Sequence, residues 1–351
     1  MVSLDADSAA DEVLTRVHGH VGLLTLNRPK AINSLTHPMV TAMDTALAAW
    51  ADDDAVRAVV VAGAGERGLC AGGDVVALYH SAKVGGADAR AFFFDEYRLN
   101  SRIGHYPKPY VALMNGIVMG GGVGISGHGN VRVVTETCKI AMPEVGIGFI
   151  PDVGGTYLLS RTPGLLGLHA ALTGAPFGAG DAVAMGFADH YVPQAKLEAF
   201  TADVIGDGVE NAIGAHAEEP PASPLAAQQD WIDQCYDGET VADIVSALRL
   251  HEEGQANHAA DLIATRSPIA LAVTLAAVRR AATLPSLDDV LVQEYRVSCA
   301  SLRSHDFVEG IRAQLVDKDR NPQWSPSALA AVTDTEVAKY FLPADPDLTF
   351  D

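Results

Sequence analysis

The sequence predicts an α/β fold, and three observations predict it. A short apolar run, a glycine-rich loop and a helical segment recur three times along residues 58–161. The runs Ala58–Ala62 and Tyr110–Met114 are short and continuously apolar, as strands covered on both faces are. Beyond the Pro- and acid-rich stretch at 215–230, residues 240–315 change to mostly helical spacing.

Residues 13–26, VLTRVHGHVGLLTL, alternate as two paired strands with His18-Gly19-His20 at the turn. Asn27-Arg28-Pro29 breaks the run. Residues 36–50 place Met39, Met43, Leu47 and Trp50 at helical spacing. Val75–Ser81 reads as a helix with Asp74 as its N-cap. Phe92–Ile103 is a further helix, ended before Pro107 and Pro109. A helix is expected to begin at Val123–Ile125, strands at Val131–Thr135 and Lys139–Met142, and a helix at Thr156–Arg161 after Gly154-Gly155. Residues 215–230 are expected to form a surface loop or hinge. SPIALAVTLAAVRRAA (267–282) has a Ser-Pro start and closing arginines. The domain expectation is a core over 1–200 and a helical C-terminal region over 201–351.

The 351 residues are 48% hydrophobic and carry a formal charge of −20. No basic excess exists to neutralise phosphates, so a nucleic-acid partner is not expected. No apolar run has the length of a bilayer span, so no membrane partner is expected either. Cys70, Cys138, Cys235 and Cys299 are widely spaced and suggest neither a zinc site nor a disulfide framework. His105, His169 and His190 show no metal-ligand spacing, and no metal is expected. The first dozen residues carry Asp5, Asp7, Asp11 and Glu12 and no basic residue, unlike a leader peptide, and a cytoplasmic location is expected.

The stretch VVVAGAGERGLCAGGD (59–74) contains Gly63, Gly65 and Gly68 as G-x-G-x-x-G after a strand. Gly122, Gly124 and Gly127 repeat the pattern. A dinucleotide site needs the helix to open within that motif. Here LCAGGD follows Gly68, and each glycine costs ~1 kcal/mol in a helix interior, so the stretch reads as loop. The second match stands six residues past its strand, after Asn115-Gly116. The remaining candidates are two loops, CAGGD (70–74) and MGGGVG (119–124). Unpaired N–H groups at helix starts carry partial positive charge, and two converging on one oxygen would form an oxyanion hole. Tight turns packed on a sheet would explain the same glycines. GISGH lacks the last glycine of a nucleophile elbow, so Ser126 and His128 are not taken as a catalytic pair. Cys70 reads as a small packed residue.

CAGGD, NGIVMGGGVG and AMPEVGIGFIPDVGG resemble, in order and spacing, signature segments of the crotonase (enoyl-CoA hydratase/isomerase) superfamily. LNRPKAINSL (26–35) and FVEGIRAQLVDKDRNPQW (307–324) resemble its N- and C-terminal segments. FFFDEYRLN (92–100) and EYRVSCASLRSHDFVEG (294–310) are similar to its 3-hydroxyisobutyryl-CoA hydrolase subgroup. The resemblance implies a spiral of β-β-α turns with a helical C-terminal region. It implies an acyl-CoA substrate in valine breakdown, coenzyme A belonging to the substrate, and no separate cofactor. A homo-oligomer is implied as well, its form left open by the extra segment over 196–265. By the same resemblance, Gly73 and Gly121 are the oxyanion-hole positions and Glu144 the catalytic carboxylate. Asp152 and Glu96 are polar positions of the substrate pocket.

Hydration of an enoyl thioester wants two carboxylates. Where the superfamily's hydratases carry one of theirs, this chain has Gly124, and where they commonly carry glycine it has Asp152. Thioester hydrolysis needs a held carbonyl oxygen and one carboxylate that attacks it or activates water, and Glu144 suits either role. Asp152 or Glu96 would read a 3-hydroxyl or position water. Arg28, Lys30, Lys318 and Arg320 are candidates for the coenzyme A phosphates. The rival readings are a hydratase or dehydratase of similar fold, and an inert acyl-CoA-binding protein. Alone, Glu144 would read as a strand-end surface acid, Asp152 as half of a Pro-Asp turn and Glu96 as a solvated helix charge.

Overall fold

The computed structural model describes residues 11–350. Asp5 and Asp7, on which part of the leader reading rests, lie outside them. Strands β1 (Val13–His18) and β2 (Val21–Leu26) form the expected antiparallel hairpin, Val13 opposite Leu26 and His18 opposite Val21. Parallel strands β3 (Ala58–Gly63) and β4 (Tyr110–Met114) follow. After β5 (Ile117–Met119) come β6 (Val131–Val134), β7 (Lys139–Ala141) and β8 (His190–Tyr191). The main sheet runs β1-β2-β3-β4-β6-β8, and β5 and β7 form a small second one. Each turn of the chain thus gives one strand to the main sheet, a short extended piece to the small one, and then a helix. The piece after β3 joins the small sheet through single bridges, Gly68 to Gly116 and Cys70 to Val118.

The continuous apolar strands are explained by cover on both faces. Val59 and Val61 of β3 face the main core with Met39, Met43 and Leu47 of helix α1 (His37–Ala51). Ala58 and Val60 face a second cluster with Phe200, Val204 and Ala212. Asp74 acts as the expected N-cap, accepting from the Ala77 amide at the start of α2 (Val75–Ala82), and Thr36 does the same for the Met39 amide at the start of α1. Helix α3 (Ala87–Gly104) starts a turn earlier than its apolar residues suggest and lies along the core.

Several elements differ from expectation. The helix expected at Val123 is a single turn, α4 (Gly121–Gly124), stopped by its own glycines. Helix α5 spans Gly155–Leu159. Strands β5 and β8 carry no sequence signal of their own, at three residues and two. Helices α6 (Leu166–Thr173), α7 (Ala179–Ala184), α8 (Leu197–Gly206) and α9 (Val209–His216) precede the Pro- and acid-rich stretch. The 200/201 division falls inside α8, whose Phe200 and Val204 cover the sheet's outer face. The loop or hinge over 215–230 is shorter than expected, because α9 runs to His216 and α10 (Gln229–Tyr236) begins at its end. The loop is pinned, since Asp181 of α7 accepts from the Ser223 hydroxyl at 2.6 Å and the Leu225 amide at 2.9 Å.

The helical region follows as α11 (Val241–Leu250), α12 (Gly254–Ala264), α13 (Pro268–Ala281), α14 (Leu287–Ser301) and α15 (His305–Ile311). Among the described residues no single helix is long and apolar enough to cross a membrane. The bent pair α12 and α13 has the composition for it, and its apolar residues are buried in the core.

The fingerprint glycines are explained by packing. A Cβ on Gly68, whose φ is +144°, would lie within 2.0 Å of the Ile117 amide nitrogen, so strand β5 needs bare backbone there. No helix opens until Val75.

Candidate active site

The glycine loops reach one cavity of about 470 Å³. Residues 71–76, Met119–Gly121, Pro143–Glu144 and Asp152–Val153 line it, with Phe92, Phe93 and Glu96 of α3. An apolar wall is built from Phe93, stacked on Phe149 at 5.8 Å between centroids, and from Phe307, edge-on to Phe149 at 5.3 Å.

The two loops repeat one device. Gly72 (φ +103°) and Gly120 (φ +49°) turn the backbone in a way only glycine accepts cheaply, and the next amide in each is left facing the cavity. A Cβ on Gly121 would lie 3.2 Å from the Gly73 nitrogen, so the two amides flank a single small space. Among the described residues neither the Gly73 nor the Gly121 N–H donates to a backbone or side-chain acceptor. The structure thus brings together the two glycines that the sequence singles out.

The carboxylates come from three directions. Glu96 is on α3, Glu144 opens a single 3-10 turn after β7, and Asp152 lies in the loop before α5. None is the exposed acid that its local sequence suggests: Glu96 is 2% exposed, Glu144 6% and Asp152 6%. Glu96 Oε1 and Glu144 Oε2 are buried without a hydrogen-bond partner. Burial first, then the Asp152 charge, pushes the Glu96 carboxyl well above its ordinary range. Glu144 is raised by burial and then by Asp152. Burial lifts Asp152 to about 7, against a lowering hydrogen bond from Tyr97. Burial of this kind brings a carboxyl's proton affinity nearer to neutrality, as acid–base chemistry requires.

A further acid was not singled out from sequence. Glu294 of α14 is fully buried, and burial lifts it to about 8. It accepts from the Gly154 amide at 2.6 Å, the Thr156 amide at 2.9 Å and the Thr156 hydroxyl. Its signal was available, since Val290, Leu291, Glu294 and Val297 share the buried side of α14, where an acid must have partners. The loop that it holds contains Val153 at φ 55°, a costly conformation for a β-branched residue. His128, lowered by burial to about 4 and hence neutral, bonds the Val153 carbonyl through Nε2 at 2.8 Å.

The other candidates separate. Ser126 donates to the Gly122 carbonyl at 2.6 Å while His128 bonds the Val153 carbonyl, so the two do not pair with each other. The Cys70 thiol is buried, pushed up to about 12, and packs against the Gly72 amide. Arg28 is spent within the chain, on Glu12 at 3.0 Å, Asp74 at 3.3 Å and Ser34. Lys30, Lys318 and Arg320 are exposed, the last two in the segment following the cavity residues Gln314 and Leu315. Arg266 also lines the cavity and puts Nε and Nη2 on the Thr173 carbonyl.

Gly124 is closed to any side chain. A Cβ there would lie 2.7 Å from Val153 Cβ and 2.8 Å from Asn100 Nδ2.

A 3-hydroxyisobutyryl-CoA hydrolase, named mitochondrial, from Danio rerio is 41% identical over 97% of this chain and 92% of its own length. The crystal structure of a carnitinyl-CoA dehydratase from Mycobacterium thermoresistibile is 71% identical, with a TM-score of 0.95 over 97% of this chain and 99% of that one. That of an enoyl-CoA hydratase from Rhodobacter sphaeroides 2.4.1 is 41% identical, with a TM-score of 0.91 over 97% of this chain and 100% of that one. The family profile for enoyl-CoA hydratase/isomerase matches residues 21–341, and the chain belongs to that family, the crotonase superfamily.

Proposed function

We propose that this protein hydrolyses a 3-hydroxyacyl-CoA thioester, with 3-hydroxyisobutyryl-CoA of valine breakdown as the first substrate to test. The observation that carries the reading is a buried Glu144 beside two unpaired amides, Gly73 and Gly121, in one cavity. In this reading the thioester oxygen lies between the amides, which stabilise it as it gains charge. Glu144 attacks the carbonyl carbon or takes a proton from water that does so. The C–S bond then breaks and the thiolate leaves with a proton; on the direct route that proton comes from the attacking water through Glu144 and the hydroxy acid is formed at once, and on the covalent route a water cleaves the mixed anhydride to free the acid and Glu144. Asp152 accepts a hydrogen bond from the 3-hydroxyl. The exposed Lys30 and Lys318 are the coenzyme A phosphate candidates that the fold leaves uncommitted.

A hydration or dehydration reading draws support from the names of the two solved neighbours, a carnitinyl-CoA dehydratase and an enoyl-CoA hydratase. Against it stands position 124, where the two-glutamate route needs a carboxylate and Val153 and Asn100 fill the space. Free, buried cysteines at 70, 138, 235 and 299 suit a reducing compartment, and we place the protein in the cytoplasm on that footing.

The deciding assay offers a 3-hydroxyacyl-CoA and scores free thiol, beside an enoyl-CoA scored for loss of its conjugated double bond. Thiol release with an unchanged enoyl-CoA is expected, and the reverse pattern would replace hydrolysis with hydration. Single turnover in oxygen-18 water then tests the covalent route, since label found in the Glu144 carboxylate requires a mixed anhydride opened at its glutamyl carbonyl.

A further inference from the structure

Tyr97 lies on α3 one residue beyond Glu96 and is fully buried. Its hydroxyl is 2.6 Å from Asp152 Oδ2 and 2.7 Å from Ser298 Oγ on α14. A phenol has one proton to give. When Asp152 is ionised it is the stronger acceptor, so Tyr97 donates to it and Ser298 donates to Tyr97. The order Ser298, Tyr97, Asp152 is thereby fixed, and each bond polarises the next. Among the described residues no other side chain donates to Asp152.

We infer that Tyr97, backed by Ser298, is a positioning residue for the hydrolysis, holding one Asp152 oxygen so that the other meets the substrate as an acceptor. The inference rests on the functional reading above. Its backbone counterpart is already in place. Val153 is kept in its strained conformation by His128, and Gly154 and Thr156 are held by Glu294. What these contacts leave free is the Asp152 side chain, and Tyr97 holds that.

The surroundings explain why a donor is needed. Glu96 from α3, Glu144 from the turn after β7 and Glu294 from α14 all stand close enough to this carboxylate for its charge to disfavour theirs. Arg266 shares the cavity, with two of its nitrogens on Thr173. Burial raises Asp152, and the Tyr97 bond is the first influence opposing it. A buried tyrosine satisfied only for its own sake could use Ser298 alone. This one reaches past it to a cavity carboxylate.

The test compares Tyr97→Phe, Ser298→Ala and the double variant. Asp152 is read directly by carboxyl carbon-13 NMR, its resonance being the one lost in Asp152→Asn. In Tyr97→Phe its titration should move up by about one pH unit, the size of one lost charge-assisted bond. Turnover of the 3-hydroxyacyl-CoA, as kcat/KM, should fall about five-fold at pH 7, mostly in kcat, with the deficit closing toward pH 9. Ser298→Ala should shift the titration in the same direction by less, and should add nothing in the Tyr97→Phe background. An unshifted Asp152 resonance in Tyr97→Phe overturns the inference, whatever happens to the rate. Equal effects of Ser298→Ala with and without the phenol do so too. If the wild type releases no thiol while the resonance shifts as stated, the functional reading fails and the hydrogen-bond chain stands.

Discussion

Replacing Asp152 by Asn should make the protein less sensitive to alkali. The Asp152 carboxyl moves from an ordinary 3.8 to about 7 in the folded protein, through burial. Between those values the folded state keeps a proton that the unfolded chain has released. Stability is therefore highest below 3.8, falls as pH rises, and carries the full loss above about 7. At ~1.36 kcal/mol per pH unit the whole loss is about 4 kcal/mol, of which more than half falls between pH 5 and pH 8. Asn has nearly the same shape and still accepts from Tyr97, but it has no proton to release. Removing the charge also eases ionisation of Glu96 and Glu144, which acts in the same direction. Urea unfolding of both proteins at pH 5, 6, 7 and 8 measures this, because urea leaves charge interactions unscreened. The variant's stability relative to wild type should climb by about 2–3 kcal/mol across the series. A difference that stays level within about 1 kcal/mol would refute the claim that the surroundings of Asp152 raise its carboxyl toward neutrality.

Other outcomes follow from the same geometry. Glu144→Gln should lower turnover at least ~10²-fold while the far-ultraviolet circular dichroism is unchanged. Gly121→Ala puts a methyl 3.2 Å from the Gly73 nitrogen and 2.7 Å from Glu96 Oε1, and kcat should drop ~10²-fold or more, measured by thiol release. A 3-hydroxyacyl-CoA should be cleaved ten- to a hundred-fold faster than the same acyl-CoA without the hydroxyl, and Asp152→Gly should abolish that preference in kcat/KM. Glu294→Gln sets an NH₂ group against the donors of the loop, costing about 1–3 kcal/mol, which a lowered thermal midpoint would register.

The parts of the fold that were legible are those set by local chemistry. Thr36, Asp74 and Ser267 announce their helices because a hydroxyl or carboxylate satisfies an amide three residues on. Strand β5 was not legible, since Ile117–Met119 is extended only because Lys139–Ala141 and Cys70 pair with it from elsewhere in the chain. The end of α9 and the start of α10 were missed because Ala217 closes the first through its backbone alone and Gln228 makes no side-chain cap bond to the second. In the site, Gly73, Gly121, Glu96, Glu144 and Asp152 were named from the family motifs, and the cavity gathers all five. Tyr97 and Glu294 stood within quoted segments but received no role. Their partners, Asp152 with Ser298 and Gly154 with Thr156, lie 55 to 201 residues away, and only folding makes them neighbours.

The grip of Glu294 on Gly154 and Thr156 has a consequence for how the molecule comes into being. The loop bearing Asp152 belongs to the spiral, yet the acid that fixes it arrives 140 residues later in synthesis. A ribosome that has released the whole spiral has not yet supplied α14. The nascent spiral can close its sheet and present both glycine amides, but Val153 has nothing to hold its strained backbone from this side. Competence therefore arrives with the last third of the chain, as a step separate from formation of the sheet. Two fragments divided in the 217–225 loop should each be silent and should recover thiol release only on reassociation.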